Sequence, residues 1–596
     1  MSELVETKKR ITRKEVIHKL RFLLIGLGCV IFLYVMYFAF CFNAEPFYID
    51  RSNFWKDGRN IAFHIICWVL LFGGLVTGVY LFISHKLNYR IAAIIIALMG
   101  GVFVMIYGLS TPIYNYNGGW NQHDLYYGSI WSRYYMEDKD ILDGGGGHFG
   151  MIMTVYRYNV IPEIIQRDGV YDYSFGAVLE RYQPKLFYLI SGWFMKFQTI
   201  FIPANEGLVT IDGSTAYKLT NQEWALFESL RLLYTMMEWA QIYFIYKIFV
   251  RLKLQQKPLL IAFALAIFNP MWCYFANWAN NDGMSTFFAI VGIYYAICYV
   301  QDGKTYHLML VAIGVGCSMA CKLGGALAAI IIAPLLIYRF IRSFKMPRQE
   351  RKGPFKNLPE WGFVMIQYVA FALIVFPLGL GFPIYNYIRF GQDIVFFSPV
   401  TNDALYIVNE NFFERFLLFP NSDVFRYLWV YHSNSSPTYT QDTSLITALI
   451  KTSLYGEYGF GLSFIQCLAL YISTLALIFF MMLAVPYRVV RFFRSKTKQV
   501  NPLRIYMFAA IIIVCYGWAV YFVNSYPHTC NEDMRYIPLI ILPLAGLGGT
   551  TYQYFEDHEN IQPIALVGKG VIISCTSLFV FCAALTYLTL SPWYVG

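Results

Sequence analysis

The sequence predicts an all-α polytopic membrane protein with about thirteen transmembrane helices and interfacial helices in its first large external loop. Three observations predict it. Runs of roughly 20 apolar residues recur along the chain, each long enough to cross about 30 Å of hydrocarbon as a helix. Of 596 residues, 58% are hydrophobic and 14% charged, too apolar a balance for a water-soluble chain of this length. The Lys and Arg residues gather in short stretches between the apolar runs, as they do where basic loops stay cytoplasmic. An open backbone does not sit in lipid, and the alternating segments of about ten residues that build a membrane barrel are absent from the pattern.

Taken in order, the basic N-terminal stretch (Lys8, Lys9, Arg10, Arg13, Lys14, Lys19) stays inside, and the run after it is too long for the apolar core of a signal peptide. It reads as a retained first span, 21–42. The second span, 62–83, returns to Lys86 and Arg90, and the third, 91–112, exits. Residues 1–113 thus form an N-terminal segment with three spans, and 114–224 form an external loop with interfacial helices. Within that loop 185–202 is apolar enough to cross. If it crossed along with 225–248, the cluster Lys247, Arg251, Lys253 and Lys257 would lie outside. The positive-inside rule therefore lays 185–202 along the outer interface.

Spans 225–248, 258–275, 283–300, 307–320, 324–341 and 362–384 make a central bundle over 225–385. An external loop, 386–460, follows. Spans 461–485, 504–523, 537–554 and 567–589 make the C-terminal bundle over 461–596. The net charge of +10 sits in cytoplasmic loops and does not form a nucleic-acid footprint. The twelve cysteines lie mostly inside apolar runs, as small core residues do. Cys273 and Cys530 fall near external helix ends, where a disulfide would be permitted, although nothing in the spacing supports one.

The polar residues of interest collect on the external side. The first large loop carries Gln122-His123-Asp124, then four glycines, Gly144–Gly147, and His148. Arg181, Tyr182 and Gln183 precede Pro184. A carboxylate and two imidazoles just above a bilayer are expensive to place and suited to proton transfer, so Asp124, His123 and His148 are the candidate catalytic residues. Tyr182, Gln183, Arg231, Asn281, Asp282, Lys322, Asp533 and Arg535 are the candidate substrate-binding residues, since ionisable groups at the bilayer edge pair with one another or with a ligand. His123, Asp124 and His148 also form a set compatible with a divalent ion, but no HExxH or HxxxH spacing marks a zinc hydrolase. No GxSxG elbow supplies a nucleophile, which leaves direct displacement with a carboxylate base. An anionic leaving group would then need Arg and Lys to receive it.

At this point the residues resemble a known group, the lipid-linked-sugar glycosyltransferases of the GT-C superfamily, especially the protein O-mannosyltransferase-like and aminoarabinose-transferase-like branch. Tyr182-Gln183-Pro184-Lys185-Leu186-Phe187-Tyr188 is similar to the His-Pro-Pro-Leu-like segment that opens an interfacial helix there, with the His and second Pro replaced. Asn281-Asp282-Gly283-Met284 resembles the family's Asn-Asp motif, and Ala320-Cys321-Lys322-Leu323-Gly324 its small-x-Lys segment. Gln122-His123-Asp124, Gly147-His148 and Cys530-Asn531-Glu532-Asp533-Met534-Arg535-Tyr536 look like three motifs of a bacterial subgroup. The resemblance covers roughly 120–340 and 500–540. It implies a GT-C-like fold in a bacterial plasma membrane and a polyprenyl-phosphate sugar as donor. It also implies inversion at the anomeric carbon, Asp124 as general base, and Arg535, Lys322 and Arg231 as holders of the departing phosphate. Metal dependence differs across that superfamily. The competing expectation is a multi-span transporter or lipid-linked-sugar flippase, which would show repeated halves and broken helices near the midplane.

Overall fold

The computed structural model describes residues 13–43, 58–111, 113, 136–137, 147–161, 166–167, 170–171, 182–203, 207–211, 214–218, 221–347, 355, 357–395, 411–418, 444–456, 464–494, 501–528, 531–557 and 563–588. Helices α1 (Arg13–Met36), α2 (Gly58–Ile83) and α3 (Tyr89–Ser110) open the chain. Asn88 starts α3 by accepting from the amides of Arg90 and Ile91 at 3.1 and 3.0 Å, the usual work of an N-cap. The first large loop contributes α4 (Gly147–Tyr158), α5 (Leu186–Gln198) and α6 (Asn221–Glu228).

The central bundle holds α7 (Leu230–Arg251), α8 (Gln256–Ile267), α9 (Met271–Asn277), α10 (Asn281–Asp302), α11 (Thr305–Cys321), α12 (Ala326–Ser343) and α13 (Glu360–Phe390). Pro270 lacks an amide hydrogen, and α8 and α9 meet there at a 47° bend. Gly303 ends α10 at φ 68°, where a side chain would be strained. The chain then gives α14 (Phe412–Phe416), α15 (Leu445–Tyr455), α16 (Phe464–Arg494), α17 (Pro502–Ser525), α18 (Ile541–Glu556) and α19 (Pro563–Leu588).

Nine described helices are long and apolar enough to cross a membrane, or ten if the bent pair α8–α9 is one span. The protein is therefore a helical multi-pass membrane protein. The other three segments expected to cross are helical but fall short on these criteria. Helix α7 is long enough yet carries Arg231, Glu238, Lys247 and Arg251, while α11 has 17 residues and α18 has 16. The described residues are otherwise overwhelmingly helical, as expected, with short strands in one segment. Strands β1 (Met136–Glu137), β2 (Gln166–Arg167), β3 (Val170–Tyr171), β4 (Gly207–Ile211) and β5 (Ser214–Lys218) lie in the first large loop. They form a three-stranded antiparallel sheet in the order β1-β5-β4 and a separate β2–β3 pair.

Most of the core is one apolar cluster through the central and C-terminal helices. Helices pack in lipid by close approach of small residues more than by an apolar driving force. At the α10–α11 crossing a Cβ on Gly314 would lie 2.6 Å from the Gly292 backbone nitrogen, so the two backbones touch there. The segment 386–460 is not a simple external loop, because α15 within it is buried almost throughout.

Candidate functional site

Three polar assemblies build the site around the first large loop. The first fixes where the loop leaves α3. Arg231 donates from Nη1 to the carbonyls of Leu109 (2.8 Å) and Thr111 (3.1 Å). Glu228 Oε2 accepts from the Ile113 amide at 2.9 Å and lies 3.1 Å from Arg231 Nε. Asn277 at the end of α9 also donates to the Thr111 carbonyl. Carbonyls at a helix C-terminus have no helical partner, and here two side chains supply one. The loop bearing His123 and Asp124 therefore departs from a clamped point. Those two residues lie outside the described residues, as do Arg181, Gly144–Gly146 and Cys530.

The second assembly is the platform of α4 and α5. His148 is buried, with Nδ1 2.8 Å from the Tyr188 hydroxyl. Its ring stacks on Tyr188 with centroids 5.7 Å apart, and Phe187 meets it edge-on. Helix α4 approaches α5 so closely that a Cβ on Gly192 would lie 2.6 Å from Val155 Cγ1. Helix α5 has 13 residues, a length of about 20 Å against roughly 30 Å of hydrocarbon, so as a helix it is too short to cross. One face is buried through Phe187, Tyr188, Ser191 and Met195, and the other leaves Trp193 and Phe197 about half exposed. Arg157 of α4 grips Glu223 of α6 with two parallel bonds of 2.9 and 2.8 Å, the strong bidentate geometry of a buried pair.

The third assembly joins the motif residues that are far apart in sequence. Asn280, rather than Asp282, caps α10 by accepting from the Asp282 amide at 3.0 Å. That leaves the Asp282 carboxylate for Lys322, whose Nζ lies 2.5 Å from Oδ1. Asn281 donates to Gln183 Oε1 and, at 3.2 Å, to the Cys321 carbonyl. The Tyr182-Gln183 turn is thereby tied to the start of α10 and the end of α11. Lys322 Nζ stands 5.0 Å from the centroid of the Tyr536 ring, and the Arg535 guanidinium 4.9 Å from the same centroid. Arg535 also lies 5.0 Å from the Trp278 ring and donates from Nη2 to the Tyr536 hydroxyl at 3.0 Å. Asp533 accepts from the Arg535 amide at 2.8 Å, with its other oxygen 3.7 Å from Arg535 Nε.

Gln183, Asn281, Asp282, Lys322, Asp533 and Arg535 are thus linked directly or through Tyr536 and Cys321, and Tyr182 adjoins them buried in the chain. Arg231 is the residue whose expected role the geometry revises. Its guanidinium is buried, neutralised by Glu228, committed to two carbonyls and covered by the Tyr37 ring at 5.4 Å. It holds the loop's origin. Sequence reasoning missed Glu228, Asn277, Tyr188, Trp278 and Tyr536. Trp278 and Tyr536 sat within or beside the quoted motifs, and an aromatic next to a motif cation was the available signal.

Among the described residues no three His, Cys, Asp or Glu side chains converge to hold a metal ion. Cys273 is a buried free thiol. No protein-family model matches this chain, and no curated protein matches it.

Proposed function

We propose that the protein is a membrane glycosyltransferase of hexosyltransferase type. It moves a sugar from a polyprenyl-phosphate donor to an acceptor on the external face, with inversion. On this reading all thirteen expected segments cross, the N-terminus is cytoplasmic and α5 lies along the outer interface.

The observation that carries the reading is the shared ring of Tyr536. Two cations from distant segments, Lys322 and Arg535, lie on it, so they are at most about 10 Å apart, a gap suited to a polyanion. Asp282 holds Lys322, and Asp533 lies beside Arg535. A departing polyprenyl phosphate gains charge as the sugar leaves, and fixed cations stabilise that charge better than water does. Asp124 takes the acceptor's proton as general base, and His123 orients it. His148 positions the loop through Tyr188. Trp278 and Tyr536 supply apolar ring faces beside the cations, as a sugar carrier with a lipid tail requires.

The test is the purified full-length protein in lipid with radiolabelled polyprenyl-phosphate sugars. Sugar release that falls by about 10²-fold or more in Asp124→Asn, with folding and insertion kept, is the expected result. Unchanged turnover removes Asp124 from the mechanism.

A further inference from the structure

Helix α7 carries a polar file through an apolar bundle. Arg231, Thr235, Glu238 and Gln241 are three or four residues apart, so they share one helical face, and all four are buried. Arg231 is neutralised by Glu228. Glu238 has no such companion. Among the described residues no Lys, Arg or His pairs with it, although its side chain is buried. The titratable side chain that faces it is the thiol of Cys273 on α9, which is also buried. Seven residues separate Glu238 from Arg231, about 10 Å along the helix axis and well inside the bundle.

The carboxyl receives one hydrogen bond, from Gln241 Nε2 to Oε2 at 2.9 Å. One amide donor does not offset the desolvation of a full negative charge, which costs several kcal/mol even after relaxation. A proton removes that charge and turns the second oxygen into a donor. On the same helical face Thr235 Oγ1 and Gln241 Oε1 are also buried, and neither makes a hydrogen bond that would bring a further donor to the carboxylate. The neighbouring charges at the outer end are already satisfied by one another, so none is left to hold a carboxylate at this depth.

We propose that Glu238 is a proton-binding site of the bundle interior, a neutral carboxylic acid at neutral pH that reacts with apolar carbodiimides. The site is independent of the sugar-transfer reading. In the reaction the acid proton moves to a carbodiimide nitrogen while a carboxyl oxygen bonds to the central carbon. The acyl group then migrates to nitrogen, giving a stable N-acylurea with no leaving group and no change of oxidation state.

The experiment uses the full chain in lipid vesicles. Infrared spectra at neutral pH should show a protonated-carboxyl C=O band that Glu238→Gln removes. Gln is nearly isosteric with the neutral acid and preserves the Gln241 contact. Dicyclohexylcarbodiimide should add once to the peptide bearing Glu238 in the wild-type protein, and the adduct should decline as the pH is raised. Loss of carboxylate bands in place of the protonated band in Glu238→Gln overturns the proposal. So does a wild-type Glu238 peptide free of adduct after treatment, a result that needs no variant to fold.

Discussion

Lys322 Nζ lies 2.5 Å from Asp282 Oδ1, across the gap between the end of α11 and the first turn of α10. The carboxylate side of this pair is 3% exposed and the ammonium side 22%, so the cation is the more accessible partner. The second carboxylate oxygen, Oδ2, is buried without a partner. Asp282 is thus a support that aims Lys322.

The pair's asymmetry predicts an asymmetric mutational response. Lys322→Met leaves a buried carboxylate with no cation and should cost about 1–3 kcal/mol, the desolvation penalty of an unsatisfied group. Asp282→Asn keeps the shape and frees the lysine, and should cost less. Thermal unfolding in detergent checks this order. Equal losses would mean that Asp282 depends on Lys322 no more than Lys322 depends on Asp282.

The clamp on the loop's origin predicts strong coupling between two residues on neighbouring helices. Arg231→Met takes the counter-charge from Glu228, and Glu228→Gln takes it from Arg231, in a site where both side chains are about 95% buried or more. Each single change should cost about 3–5 kcal/mol, as breaking buried pairs does. The double variant should cost clearly less than the sum, because the second change leaves nothing further unpaired. Additive losses measured by thermal unfolding would show that the two residues act separately. A phosphate-holding Arg231 would instead raise donor KM with little change in stability.

The sequence's apolar pattern located every described helix that is long and apolar enough to cross, because runs of apolar residues report burial in lipid directly. It marked 185–202 as a short apolar segment, and the structure makes α5 a 13-residue helix. The pattern could not reveal that α15 is buried inside a segment read as a loop, since a short apolar helix looks the same in either setting. The short strands β4 and β5 were equally illegible, being a local hairpin in a polar stretch. At the site, Asp282, Lys322 and Arg535 stood out as charges beside apolar runs. Their common contact was not legible, because Tyr536 is one of 48 tyrosines in an aromatic-rich chain. The carbonyl-capping contacts of Arg231 were not legible for a physical reason: a guanidinium at a bilayer edge serves equally well to cap carbonyls or to bind phosphate.

The proposed interfacial placement of α5 predicts which side of the membrane reaches Lys196. In intact cells Lys196→Cys should react with a membrane-impermeant maleimide added outside. The half-exposed Trp193 and Phe197 lie on the same short helix and should sit at the level of the lipid headgroups. Reaction only after the cytoplasmic face is opened would place α5 on the inner side. The site would then have to be drawn on the opposite face of the bundle.

The shared ring gives the sharpest prediction about donor binding. Tyr536→Phe keeps the aromatic ring beside Lys322 and Arg535 and removes the hydroxyl that accepts from Arg535 Nη2. Tyr536→Leu removes the ring as well. If the ring holds the two cations in register for a phosphate, donor KM should rise only a few-fold in the Phe variant and by about ten-fold or more in the Leu variant, about 1.4 kcal/mol or above. Arg535→Lys keeps the charge but gives up the planar fork that grips two phosphate oxygens, so it should also raise donor KM. Arg535→Ala should raise it further. Asp533→Ala is the comparison, since Asp533 meets the Arg535 backbone amide and lies 3.7 Å from its guanidinium. A purely structural Arg535 would make Asp533→Ala and Arg535→Ala equally unstable and leave KM unchanged in both. A phosphate-binding Arg535 separates them, with KM following the guanidinium and thermal stability following the pair.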